Sequence, residues 1–129
     1  MKIIIETIPH ASQPYPTVGD WRRDEDGTLH INVSEEIGGK YASLVALHEL
    51  IEVLLCEDRG ITCEEVDAFD KSFEAARDTG TEPEDAEPGD SPFAPYRKEH
   101  FFATSLERLM AAELGVDWKT YDDAVMSLP

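Results

Sequence analysis

The fold of this chain is decided by the stretch ALHELIEVLL, residues 46–55, which has the composition of a buried helix with polar residues in its middle. His48 and Glu52 are one helical turn apart, so their side chains lie on the same face. The rest of that face is apolar, and its residues are Tyr41, Leu44, Val45, Ile51 and Leu55. A histidine and a carboxylate on such a face cost free energy unless each is hydrogen-bonded or bound to a metal. We therefore expect a buried polar site on this helix.

Glu49 follows His48 directly, as the glutamate does in the His-Glu-x-x-His motif of zinc-binding helices. In that motif the two histidines bind zinc, and the glutamate is the general base for the zinc-bound water. Glu52 stands where the motif has its second histidine. Carboxylates also bind zinc, so the stretch can still hold a metal, although through a different ligand set.

The composition indicates a single, strongly acidic domain. The chain has 129 residues, which we assign to one domain over 1–129, and its formal net charge is −17. This charge disfavours a nucleic-acid backbone or an anionic membrane as the main partner. It favours metal cations or a basic protein instead.

The cysteines and the apolar segments favour a cytoplasmic protein. Cys56 and Cys63 are not spaced as a Cys-x-x-Cys pair, so we interpret them as reduced thiols, with a disulfide between them as the alternative. No segment reaches the roughly 18 consecutive apolar residues of a membrane span. The apolar run Ile3-Ile4-Ile5 is too short for a signal sequence.

Local patterns predict a small sheet followed by helices. The Asp-Gly pair at 26–27 favours a β-hairpin between strands at 18–23 and 28–33. Residues 78–95 are rich in proline, glycine and acids, which indicates an exposed acidic loop. The other predicted elements are a strand at 2–8 and helices at 39–59, 63–77, 96–114 and 118–126. Together they predict an α+β fold with a small antiparallel N-terminal sheet packed on three or four helices.

The third predicted helix supplies the best candidate for a further ligand. We select His100, because a catalytic zinc site usually has three protein ligands and a water. Glu107 lies two turns further along the same face, where it would hydrogen-bond to a ligand or form a salt bridge with a neighbouring arginine. Asp67 and Asp70, on the second helix, are alternative ligands.

This arrangement resembles the zincin metallopeptidases, and among them the small intracellular, phage-associated ImmA/IrrE type. The resemblance covers about Lys2–Leu114, and its specific motif is the run from Leu47 to Leu55. In that family a later helix contributes the third ligand as a glutamate. Here the run His100-Phe101-Phe102-Ala103 occupies the comparable place.

The resemblance implies a role for each residue of the motif. His48 would be the first ligand, Glu49 the general base, Glu52 the second ligand and His100 the third. The chain would thus use His, Glu, His where the family uses His, His, Glu. A carboxylate in place of an imidazole makes the metal less positive, so the metal should acidify its bound water less.

Three functions follow as alternatives. The first is a zinc-dependent peptidase of phage or prophage origin, although mixed His/carboxylate sites also suit iron and manganese. The second is a catalytically inactive zincin-like module that binds a basic partner through its acidic surface. The third is a metal-free domain in which His48, Glu52 and His100 form a buried hydrogen-bonded network, completed by an arginine such as Arg97 or Arg108.

Overall fold

Three strands followed by four helices make up the chain in the computed structural model, which describes all 129 residues. The elements are the strands β1 (Ile3–Ile8), β2 (Gly19–Arg23) and β3 (Leu29–Ser34), and the helices α1 (Gly39–Asp58), α2 (Cys63–Asp78), α3 (Arg97–Glu113) and α4 (Trp118–Met126). The predicted α+β class is confirmed. None of the four helices combines the length and the apolar composition needed to cross a membrane.

The sheet is mixed rather than antiparallel, which corrects one part of the predicted fold. β2 and β3 form the predicted antiparallel hairpin. β1 instead pairs in parallel with β3, with Ile5 opposite Ile31. The segment 9–18 carries the chain from β1 to the far edge of the sheet, so that β3 returns between the two outer strands. Such a crossover pairs strands that are not consecutive, and a local sequence pattern does not reveal it.

The core lies between this sheet and helix α1. Alternate residues of β3, namely Leu29, Ile31 and Val33, are fully buried, as the two-residue period of a strand requires. They belong to the same apolar cluster as Leu44 and Val53 of α1. Burying one aliphatic side chain of this size stabilises the fold by roughly 1.5–3 kcal/mol. This packing fixes α1, and with it the polar residues in the middle of the helix.

Local capping sets the junction between α1 and α2. Helix α1 ends just before Gly60, whose φ of 73° is a left-handed conformation that glycine adopts without strain. Thr62 then begins α2, because its hydroxyl accepts a hydrogen bond from the backbone N–H of Glu65 at 3.2 Å. Both features depend on a few neighbouring residues, which is why the predicted end of α1 and the predicted start of α2 agree closely with the structure.

The acidic segment 78–95 is docked on the domain rather than solvated along its whole length. A short turn at Pro88–Asp90 packs against α2 and α3, and Gly89 within it is buried. Arg77, at the end of α2, donates a hydrogen bond to the carbonyl oxygen of Ala86 at 2.6 Å. These contacts hold part of the segment beside α3, where its carboxylates face the polar residues of that helix.

Candidate metal centre

Helix α1 places His48 and Glu52 inside the domain. Their exposed fractions are 9% and 4%. Nε2 of His48 lies 3.1 Å from Oε2 of Glu52, as the i, i+4 spacing predicted. The pair is buried because α1 packs on the sheet with one face and on α3 with another.

Helix α3 brings His100 against this pair from 48 residues further along the chain. Nδ1 of His100 lies 3.2 Å from the same oxygen, Oε2 of Glu52. The two imidazole rings meet edge to face, with their centroids 4.8 Å apart. In a tetrahedral zinc site with bonds of about 2.0–2.1 Å, neighbouring ligand atoms are about 3.3 Å apart. His48, Glu52 and His100 are therefore buried together and close enough to hold a metal ion.

Glu107 orients His48 from the side opposite Glu52. Nδ1 of His48 donates a hydrogen bond to Oε1 of Glu107 at 2.8 Å, while Tyr121 of α4 donates its hydroxyl hydrogen to Oε2. Histidines that bind metals almost always donate their other ring N–H to a carboxylate or a carbonyl in this way. Of the two roles predicted for Glu107, the structure places it beside a candidate ligand and not in a salt bridge with an arginine.

No arginine takes part in the buried cluster. The guanidinium of Arg97 lies over the ring of Phe101, and that of Arg108 lies over the ring of Trp118. The hydrogen-bonded network that the sequence offered as a metal-free alternative is formed by His48, Glu52 and His100, and Glu107 rather than an arginine extends it.

Hydrogen bonds and nearby carboxylates set the ionisation of the cluster. Burial alone would lower the pKa of His48, but its bonds to Glu107 and Glu52 outweigh burial and raise the pKa to about 10. Burial likewise opposes ionisation of Glu52, yet His100 and His48 lower its pKa to about 2. Burial would also lower the pKa of His100, but Asp90, Glu52 and Glu87 raise it to about 12. A metal would have to displace protons from both imidazoles, so its affinity should rise with pH.

Glu49 lies beside the cluster and lines the same cavity, which has a volume of about 480 Å³. An ideal Cβ at Gly19 would come within 2.8 Å of Oε1 of Glu49, so the absence of a side chain on β2 makes room for this carboxylate. Burial raises the pKa of Glu49 well above its usual range, and the negative charge of Glu52 adds to the effect. The residue predicted as a general base thus has an environment that strengthens its hold on a proton.

Asp67 and Asp70, the alternative ligands, lie outside the cluster. Asp70 accepts hydrogen bonds from the hydroxyl groups of Tyr15, at 2.7 Å, and of Tyr96. Burial raises the pKa of Asp70 to about 6. Asp67 accepts a weak bond from the thiol of Cys63 at 3.7 Å. Both are bonded to neighbours of their own, and neither is grouped with His48, Glu52 and His100.

Sequence reasoning did not find four polar residues that border the site. Tyr121 bonds to Glu107, Glu87 and Asp90 flank His100, and Asp20 lines the cavity. Tyr121 and Asp20 lie on elements that are distant in sequence from α1, and only packing brings them close. For Glu87 and Asp90, the acidic composition of the loop was the one available signal, and it does not single out particular residues.

Comparisons with protein families, with curated proteins and with solved structures found no match to this chain.

Proposed function

We propose that this protein is a zinc-dependent hydrolase of the zincin type that cleaves a peptide bond. The observation that carries the proposal is the convergence of His48, Glu52 and His100, with Glu49 in the adjoining cavity. The donor set of two imidazoles and one carboxylate is that of catalytic zinc sites, which keep a fourth position open for water or substrate. The resemblance of residues 47–55 to the ImmA/IrrE-type metallopeptidases supports the same class.

Each residue has a defined task in this proposal. A zinc ion held here would act as a Lewis acid that polarises the scissile carbonyl and acidifies a water. Glu49 would accept a proton from the attacking water and deliver it to the leaving amine as the C–N bond breaks. Glu107 would hold Nδ1 of His48 protonated, so that Nε2 presents its lone pair to the metal.

The chemistry of the cavity supports a basic peptide as the substrate. Ten carboxylate residues line it, and Arg77 is its one lysine or arginine. Arg77 is itself bound to Glu74 and to the carbonyl oxygen of Ala86. The carboxylates outnumber the cationic groups of the cavity, so a cationic side chain entering it would meet an excess of negative charge. We also assign the protein to the reducing cytoplasm, because Cys56 and Cys63 are both free thiols.

The test begins with the metal. Elemental analysis of the purified protein should find about one zinc per chain, and the His48→Ala variant, which lacks one of the three proposed ligands, should bind zinc more weakly. Hydrolysis of a library of lysine- and arginine-containing peptides should then require zinc and disappear in Glu49→Gln, which keeps every proposed ligand. If the wild type remains metal-free after incubation with zinc, or if Glu49→Gln hydrolyses peptides as fast as the wild type, the proposal is wrong.

The acidic cavity also favours a second function, that of a binding module without catalysis. In this case the same carboxylates would hold a basic segment of a partner protein, and Glu49 would have no special role. Binding of a lysine-rich peptide should weaken as salt rises, because exposed charge pairs are screened. Equal binding by the wild type and Glu49→Gln, with no hydrolysis by either protein, would favour this function.

A further inference from the structure

The second ring nitrogen of His100 is buried without a hydrogen bond. His100 is 9% exposed, and its Nε2 atom has no hydrogen-bond partner. Two carboxylate oxygens of the acidic loop lie near it, Oδ1 of Asp90 at 3.4 Å and Oε2 of Glu87 at 3.6 Å. A buried nitrogen that forms no bond carries a free-energy cost, so this arrangement needs an explanation.

The loop is fitted closely to this side of the ring. Gly89 lies between the two acids, and an ideal Cβ at this position would come within 2.4 Å of Cγ of His100. Only a glycine lets the backbone approach the imidazole so closely. The turn thus sets Glu87 and Asp90 at the ring edge that faces away from Glu52.

We propose that Glu87, Asp90 and Nε2 of His100 form an outer site for a divalent cation. Their ligand atoms lie within 4.8 Å of one another. The separations of 3.4 and 3.6 Å from Nε2 are long for a hydrogen bond, but they are close to the roughly 3.3 Å between two ligands of one ion. The Glu87 and Asp90 side chains are 32% and 53% exposed, so an ion can reach this site from solvent, whereas the inner site at His48 and Glu52 is buried.

The shared imidazole makes the two sites alternatives. A neutral imidazole has one nitrogen with a lone pair and one that carries a hydrogen. When an ion is bound at Nδ1, Nε2–H can donate to Asp90 or Glu87. When an ion is bound at Nε2, Nδ1–H can donate to Glu52, 3.2 Å away. Each state satisfies both nitrogens in the same orientation of the ring.

The proposal goes beyond hydrolysis and is tested in a protein whose inner site is disabled. Glu52→Gln removes the inner carboxylate but keeps an acceptor for Nδ1–H. Zinc binding to this variant, measured by equilibrium dialysis and elemental analysis, should reach about one ion per chain. Adding Glu87→Gln and Asp90→Asn should weaken that binding by about 100-fold or more, because two of the three ligands are lost. Adding Glu84→Gln and Asp85→Asn instead, which removes two charges from the same loop, should leave the affinity within about twofold.

The outcomes separate the outer site from the proposed function. If Glu52→Gln binds no zinc while it folds as the wild type by circular dichroism, or if the triple variant binds as well as Glu52→Gln, the outer site does not exist. His48→Gln provides a second inner-site background should Glu52→Gln fail to fold. Two zinc ions per wild-type chain would overturn the alternating occupancy. Zinc held by Glu87 and Asp90 in a protein that never hydrolyses peptides would refute the proposed function and leave the outer site standing.

Discussion

Replacing Glu107 by glutamine should weaken zinc binding although it removes no metal ligand. In the structure Nδ1 of His48 donates to Oε1 of Glu107 at 2.8 Å, and both residues are buried. The carboxylate fixes which nitrogen of His48 carries the hydrogen and makes the other nitrogen a stronger donor to a metal. Glutamine keeps the size of the side chain and an oxygen that can accept the same bond, but it removes the charge.

The size of the effect follows from the type of hydrogen bond that is lost. A hydrogen bond to a charged group contributes roughly 1.5–3 kcal/mol, and a neutral bond contributes about 1 kcal/mol. The difference of about 0.5–2 kcal/mol corresponds to a loss of about 2- to 30-fold in zinc affinity. This range overlaps the loss of about 10- to 100-fold in affinity that is typical when the hydrogen-bond partner of a metal-binding histidine is changed.

The assay is a competition for zinc against a chromogenic chelator at fixed pH. Tyr121→Phe, which removes the hydroxyl that bonds to Oε2 of Glu107, should shift the affinity in the same direction by a smaller amount. Glu113→Gln, at an exposed position near the end of the same helix, is the matched control and should bind zinc as the wild type does. If Glu107→Gln binds zinc with unchanged affinity, Glu107 does not orient a metal ligand and the reasoning about the centre fails.

Three further predictions concern stability. Chelation should lower the melting temperature of the zinc-loaded wild type and lower that of His48→Ala by less, since a ligand at 100 times its Kd stabilises the folded state by about 2.7 kcal/mol. Equal melting curves of the wild type with and without chelator would contradict a bound metal. Asp20→Asn should stabilise the protein at pH 8 and have little effect at pH 4, as melting scans at the two pH values would show. Burial and the charge of Asp67 raise the pKa of Asp20 to about 7, so the stability that its protonated form gives is present below its ordinary value of 3.8 and is lost as the pH rises through about 7. The expected gain is about 1–2 kcal/mol, and a gain that is the same at both pH values would show that titration of Asp20 is not its cause. Gly89→Ala should destabilise the protein by about 1–3 kcal/mol in urea, because the added methyl group overlaps the fixed ring of His100; unchanged stability would mean that the loop does not rest on the ring.

The sequence alone determined the elements and the first half of the site. The Asp-Gly pair fixed the hairpin of β2 and β3, and Thr62 fixed the start of α2, because each signal acts on hydrogen bonds within a few residues. The spacing of His48 and Glu52 placed them on one face of α1 for the same reason: four residues make about one helical turn. The apolar stripe around them predicted their burial.

Only the tertiary structure determined which residues contact His48 and Glu52. The contact between His100 and Glu52 joins residues 48 apart, and that between His48 and Glu107 joins residues 59 apart. Sequence reasoning could select His100 as a candidate by residue type, but the rotation of α3 decides which of its faces is buried. That rotation turns His100 and Glu107 inward and leaves Phe101 42% exposed, although a large apolar residue would be expected in the core.

The parallel pairing of β1 and the docking of the acidic loop could not be predicted from local sequence patterns, for the same physical reason. Each depends on a connection that must close over many residues, and the free energy that holds it comes from contacts with distant elements. A segment such as 78–95, with few apolar residues, carries no periodic pattern from which its position could be predicted. Its place is set by Arg77, which bonds to Ala86, and by Gly89, which fits against His100. Local hydrogen bonding therefore determined the elements of this protein, and packing between distant segments determined its site.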